Sequence, residues 1–107
     1  MTAMFLQSNE RRVFAYAVAV DMRKSFNGLI HLTREALKED PLSGNVYVFT
    51  NRSGNLMKCL VWDRTGFVVV AKRLERGRFK IPGSGMKREL QKRIFTLVFD
   101  GIPLGEI

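Results

Sequence analysis

Two short turns set between apolar runs constrain this chain more than any other feature. Asn51-Arg52-Ser53-Gly54 and Asp63-Arg64-Thr65-Gly66 each place Asn or Asp first and Gly fourth, the preference of a type I turn. They separate three runs, residues 45–50, 56–62 and 67–72, rich in Val, Phe, Tyr and Trp. A parallel crossover needs a dozen residues or more, so turns this short force an antiparallel meander. In the middle run Leu56, Lys58, Leu60 and Trp62 share one face, and Met57, Cys59, Val61 and Asp63 the other. Both faces are mostly apolar, which predicts a strand inside the sheet.

The flanking segments supply the rest of the fold. Residues 13–20 form a β-branched and aromatic run that predicts a buried strand. Asp21 reads as a helix N-cap or the turn before one. Between residues 22 and 39, Phe26, Leu29, Ile30, Thr33, Ala36 and Leu37 recur at helical spacing, opposite Lys24, His31, Arg34, Glu35 and Lys38. Gly28 in that stretch is expected to allow close packing against the sheet. Asp40-Pro41-Leu42-Ser43-Gly44 ends the helix, because proline cannot continue it. After the meander, Leu74-Glu75-Arg76-Gly77 is expected to close a third turn before a short strand at 78–81. Pro82-Gly83-Ser84-Gly85 reads as a flexible loop, and residues 86–100 as a second helix. In that helix Leu90, Ile94, Leu97 and Val98 form a stripe beside Phe95 and Phe99, with Gly101 and Pro103 as stops. The expected order is β-α-β-β-β-(β)-α. This is an α+β single domain with a mostly antiparallel sheet, covering 13–107 behind a loose N-terminal segment, 1–12.

Composition narrows the class. One cysteine, Cys59, allows no internal disulfide, and with one histidine, His31, it cannot complete a zinc finger. No apolar run reaches the roughly 20 residues of a membrane span, and residues 1–12 lack the apolar core of a signal peptide. A cytoplasmic location is expected, with no membrane partner.

The chain of 107 residues carries a net charge of +8, and the charge is concentrated. Residues 72–93 hold nine cations, Lys72, Arg73, Arg76, Arg78, Lys80, Lys87, Arg88, Lys92 and Arg93, against Glu75 and Glu89, a net +7. Concentrated Lys and Arg suit a polyphosphate, because each neutralised phosphate releases condensed counterions. Arginine adds bidentate geometry. The plainer reading is a well-solvated surface. Because successive turns of a meander lie at opposite ends of the sheet, turns one and three share an end. This brings Arg52 near Arg73, Arg76 and Arg78. Lys87, Arg88, Lys92 and Arg93 crowd the first half of the expected second helix, where cations oppose the dipole. The expected nucleic-acid contacts are therefore Arg52, Arg73, Arg76, Arg78, Lys80, Lys87, Arg88, Lys92 and Arg93, with Arg23 and Lys24 as a weaker second patch. Phe26, Tyr47, Phe49, Trp62, Phe67 and Phe79 sit mainly in predicted strands and read first as core. Phe79, between Arg78 and Lys80, is the best of them as an exposed base-stacking ring.

Catalytic chemistry finds little support. His31 lacks a nucleophile or carboxylate motif beside it. Cys59 sits mid-strand among apolar neighbours and reads as a buried thiol. Asp21, Asp63 and Glu75 could be drawn as a two-metal triad, but each has a simpler role, as cap, turn opener and surface ion partner. Gly83-x-Gly85 has no phosphate-loop pattern around it. No catalytic residue, metal or cofactor is expected.

Five ordered motifs carry a family resemblance. They are Asp21-Met22-Arg23-Lys24-Ser25-Phe26-Asn27-Gly28-Leu29, Asp40-Pro41-Leu42-Ser43-Gly44, Phe49-Thr50-Asn51-Arg52-Ser53-Gly54, Trp62-Asp63-Arg64-Thr65-Gly66-Phe67 and Lys72-Arg73-Leu74-Glu75-Arg76-Gly77-Arg78-Phe79. Over about residues 13–102 the chain resembles the second-reading-frame accessory proteins, labelled TnpB, of the insertion-sequence sixty-six family of bacterial mobile elements. Asn27 stands where an Asp is usual, which weakens any ligand or base role there. The resemblance implies an accessory factor in transposition, encoded beside a larger transposase that carries the catalytic carboxylates. It implies no catalytic residue here. The leading expectation is a non-catalytic DNA-binding factor. The rivals are an adaptor docking on the transposase through an exposed Trp62, Phe79 or Phe95, and a small metal-dependent nuclease that needs Asp63.

Overall fold

The computed structural model describes residues 11–104. Its order is β1 (Val13–Tyr16), α1 (Phe26–Glu35), β2 (Val46–Thr50), β3 (Leu56–Asp63), β4 (Gly66–Arg73), β5 (Lys87–Leu90) and α2 (Lys92–Phe99). The strands form one sheet in the order β4-β3-β2-β1-β5. Only β1 and β2 are parallel, joined through α1. The other three pairings are antiparallel. The α+β expectation holds, and β3 lies inside the sheet between β2 and β4.

Strand alternation divides the apolar residues between two layers. Phe14, Tyr47, Phe49 and Leu60 face α1 and pack with Leu29 and Leu37. Val13, Ala15, Val46, Val48, Met57, Cys59 and Val61 face the other side and pack with Phe95 and Val98 of α2. Removing each such side chain from water contributes about 1.5–3 kcal/mol, which is why both faces are covered. Tyr47 stacks on Phe14 at 6.1 Å. Its hydroxyl shares a 2.7 Å hydrogen bond with Ser43 Oγ and donates to the Asp40 carbonyl at 3.0 Å, tying the α1–β2 connection to the core.

Several local expectations are corrected. α1 is shorter than 22–39. Of the two roles expected for Asp21 the second holds: it acts in the turn before the helix, where its Oδ1 accepts from the Arg23 amide at 2.9 Å, and Ser25 is the N-cap residue. At the other end Lys38 takes a left-handed φ of 57°, which stops the helix. Gly28 makes room for the Lys24 side chain in the loop before the helix and not for the sheet: a Cβ there would come within 2.9 Å of Lys24 Cβ. Turn two is not type I, since Arg64 has φ 54°. A two-residue hairpin needs positive φ to follow the strand twist.

The largest correction concerns residues 78–100. Residues 78–81 form no strand, and 86–100 is not one helix. The chain leaves β4 and crosses to the far edge of the sheet, with Leu74, Phe79 and Ile81 packed into the α2-side core. Leu74 N bonds Asn55 O at 2.8 Å, and Phe79 N bonds Gly54 O at 2.7 Å on the way. It then enters β5, where Arg88 pairs with Ala15 and Leu90 with Val13. The pairing partner decides the conformation: β1 offers an open edge, and a strand there satisfies its backbone groups. The dipole conflict expected for Lys87 and Arg88 disappears, because neither lies in the helix. Residues 1–10 of the segment expected to be loose lie outside the described residues. Arg11 donates to Gly44 O at 2.7 Å, and Arg12 forks onto Glu89 at 2.8 and 2.7 Å.

Lys58 is a charged residue on the α1 face of an interior strand. Its Nζ donates to the Met22 carbonyl at 2.9 Å and the Lys24 carbonyl at 2.8 Å, fixing the loop that launches α1. Lys58→Met leaves both carbonyls without that donor. A loss of about 1–3 kcal/mol is expected in urea unfolding, and a loss below about 0.5 kcal/mol contradicts the role.

Candidate nucleic-acid interface

The basic residues do not line one continuous face. Carboxylates claim several of them. Arg73 pairs with Glu75 at 3.1 Å, and Lys72 pairs with Asp100 at 3.6 Å over the Phe99 ring. Lys87 is bound to Glu39 and lies over Phe14 on the α1 side. Adjacent residues of a strand point to opposite faces, so Lys87 and Arg88 part company. Arg23 grips Asp21 through contacts of 2.9 and 2.5 Å, and Lys24 sits beside it, on the α1 side of the sheet. Lys92 and Arg93 belong to the first turn of α2.

Three arginines do converge. The β2–β3 turn brings Arg52, the crossover brings Arg78, and β5 brings Arg88, all lining one cavity of about 200 Å³. Ala17 and Thr50, at the carboxyl ends of the parallel strands β1 and β2, also line it. Loops leaving those ends are where open sheets with parallel strands commonly hold ligands. No carboxylate lines the cavity, and none of the three arginines makes an ion pair among the described residues.

The local sequence explains each placement. In turn one the Asn51 side chain accepts from the Leu56 amide at 3.1 Å and donates to Asn55 at 2.7 Å, holding Arg52 at the tip. Gly54 follows with φ 73°, and a Cβ there would meet Arg78 Nε at 2.9 Å. The glycine serves both the turn and the passage of the Arg78 side chain, which donates to the Arg52 carbonyl at 3.2 Å. The 82–85 loop folds around Arg88, whose Nη1 donates to Ile81 O at 2.6 Å and Nε to Gly85 O at 2.8 Å. Backbone bonds from Ala17 N to Met86 O, 2.7 Å, and from Val20 N to Thr50 O, 2.9 Å, close the walls.

Arg52 and Arg78 meet as turn geometry predicts. Arg88 was expected on a helix, and its place beside Arg52 carries no sequence signal, because it depends on β5 pairing with β1. Thr50 and Asn51 were missed for the same reason. Arg76 and Lys80 are exposed on the crossover, outside the cavity. Phe79 is not a stacking platform: it is 5% exposed and belongs to the α2-side core. Its inward turn sends Arg78 and Lys80 outward. Phe95 is fully buried as well, so neither phenylalanine offers the exposed surface expected of an adaptor, while Trp62 is half-buried against Phe67.

The carboxylates imagined as a metal triad lie apart. Asp21 meets Arg23, Asp63 lies near Arg11 and Arg64, and Glu75 meets Arg73. No three His, Cys, Asp or Glu side chains group as a metal site among the described residues.

Hydrogen bonds from the Arg23 side chain, then its backbone amide, pull the Asp21 carboxyl down to about 2. The Arg12 fork lowers Glu89 in the same direction. Both pairs stabilise the fold above the ordinary carboxylate range, and that contribution is lost as pH falls through the lowered values. The urea midpoint is therefore expected to be level near pH 5 and to fall below about pH 4. Asp21→Asn should flatten the lower part of that fall, and an unchanged profile contradicts the pairing.

The assembly defines a small three-layer α+β domain with an arginine-lined cleft. No helix among its described residues is long and apolar enough to cross a membrane. The family described as IS66 Orf2 like protein matches residues 11–107, and the chain belongs to it. Two curated relatives, both from Sinorhizobium fredii (strain NBRC 101917 / NGR234), are the uncharacterized proteins y4jC and y4hO. The chain is 35% identical to y4jC over 71 residues, 66% of this chain and 61% of that one. It is 42% identical to y4hO over 73 residues, 68% of this chain and 64% of that one. The match thus spans less than two thirds of either relative. No solved structure matches the chain. The family's description places the chain with the second-reading-frame proteins of the insertion sequence IS66.

Proposed function

We propose that this protein is a non-catalytic accessory factor of transposition that binds DNA through the arginine-lined cleft and the crossover beside it. The convergence of Arg52, Arg78 and Arg88 without a carboxylate partner among the described residues carries the reading. Unpaired guanidiniums held close together repel one another, and an anionic polymer relieves that repulsion. Arg76 and Lys80 extend the contact surface. Arg73, Lys87 and Arg23, each engaged by a carboxylate, have a smaller part. Lys24, Lys92 and Arg93 lie outside the cleft.

The test is duplex DNA binding over a range of salt concentrations. Five phosphate contacts give a log–log slope of about −4.5. A flat response defeats the reading. Co-purification with the element's transposase in the absence of DNA separates a docking role from a DNA-binding one. The nuclease alternative predicts magnesium-dependent nicking abolished by Asp63→Ala, and no cleavage is expected.

A further inference from the structure

We propose that the cleft is a receptor for a phosphate monoester, the phosphorylated end of a nucleic-acid strand. This rests on the DNA-binding reading only for the source of the phosphate. The argument for the monoester comes from the cleft itself.

Charge is the first ground. Three guanidiniums and no carboxylate line the cavity. A backbone diester brings one negative charge and two free oxygens. A monoester brings about −1.5 to −2 near neutral pH and three strong acceptor oxygens, a closer match to three arginines.

Preorganisation is the second. Arg88 spends two of its five N–H groups on Ile81 O and Gly85 O, and Arg78 spends one on Arg52 O. The two guanidiniums are thus held before any ligand arrives, and N–H groups remain for an anion. Fixing a donor in advance lowers the ordering cost of binding.

Shape is the third. The cavity of about 200 Å³ has the volume of roughly six or seven waters. It is walled by the β2–β3 turn, the crossover and β5. The recess is half open to solvent, so a duplex phosphate reaches its rim, but with a nucleotide on each side it enters less deeply. A terminal phosphate has one side free.

The experiment compares one duplex in three forms, with 5′-phosphate, 3′-phosphate or hydroxyl ends, by fluorescence anisotropy at a single salt concentration. Inorganic phosphate and a nucleoside 5′-monophosphate serve as competitors. One phosphorylated form is expected to bind about tenfold or more tightly than the hydroxyl form, the effect of an added charge-assisted contact. Arg52→Gln should bring that ratio toward one, and Arg88→Gln likewise. Arg88 also holds the 82–85 loop, so Arg52, which has no such bond, is the deciding variant. Equal binding of all three duplexes overturns the proposal and leaves general DNA binding standing. Phosphate or mononucleotide binding that Arg52→Gln abolishes, with no duplex bound in any form, supports the monoester site and overturns the DNA reading. A mononucleotide that binds as tightly as the phosphorylated duplex overturns the strand-end source.

Discussion

Changing Arg52 and Arg78 together to glutamate is expected to weaken duplex DNA binding by on the order of a hundredfold at low salt. Each phosphate contact is worth about half a decade of affinity over a few-fold change in salt, and reversal replaces attraction with repulsion. The log–log salt slope should shrink by about 2 as two contacts vanish. The fold should tolerate the change. Arg52 is exposed at a turn tip, and the one hydrogen bond from Arg78, to the Arg52 carbonyl at 3.2 Å, is a surface contact. The comparison that gives the result meaning is Arg73→Glu. Arg73 lies in the same basic stretch but is already engaged by Glu75 at 3.1 Å. Its reversal should cost only a few-fold. If one reversal at Arg73 costs as much as two in the cleft, affinity follows total charge, and the cleft has no special place in binding.

Phe95→Ala is expected to have the largest effect on stability, about 3–5 kcal/mol. The ring is fully buried between α2 and the sheet, with Phe99 at 5.8 Å, and it helps hold α2 over the face formed by Val13, Val48 and Cys59. A domain of this size has about 5–15 kcal/mol in total, so the variant should be marginal at room temperature. Cys59 supplies a direct readout. Its thiol is fully buried, and burial pushes its pKa up, so a thiol reagent should leave it untouched in the native protein. In Phe95→Ala the labelling rate should rise with the fraction unfolded. A midpoint shift worth less than about 1 kcal/mol, or labelling of the native wild-type thiol, contradicts this account of the core.

The cleft and the α2-side core meet on the crossover. Phe79 turns into the α2-side core, and its neighbours Arg78 and Lys80 turn out. The apolar residue anchors the segment so that the charged ones are presented. The sequence pattern Arg-Phe-Lys allows either a core ring or a stacking ring between cations, and the core reading holds: the ring, not the charge, is what the sheet accepts. A lone aromatic between two charges gives no local cue to its direction. The neighbouring layer decides, and here that layer is apolar.

Local chemistry determined much of this protein without help from tertiary structure. The Asn-x-x-Gly and Asp-x-x-Gly turns, the β-branched runs between them and the apolar stripe of α1 each act over a few residues. Their consequence, a meander beside an amphipathic helix, was therefore legible, as was the approach of Arg52 to Arg78. What tertiary structure alone decided is the fate of residues 87–90. Lys-Arg-Glu-Leu is made of helix-favouring residues, and it becomes a strand all the same because β1 has an edge to fill. That choice sends Lys87 to Glu39 on one face and Arg88 into the cleft on the other. The physical reason is that backbone pairing between distant segments is settled by which unsatisfied groups meet, and no short window of sequence contains both partners.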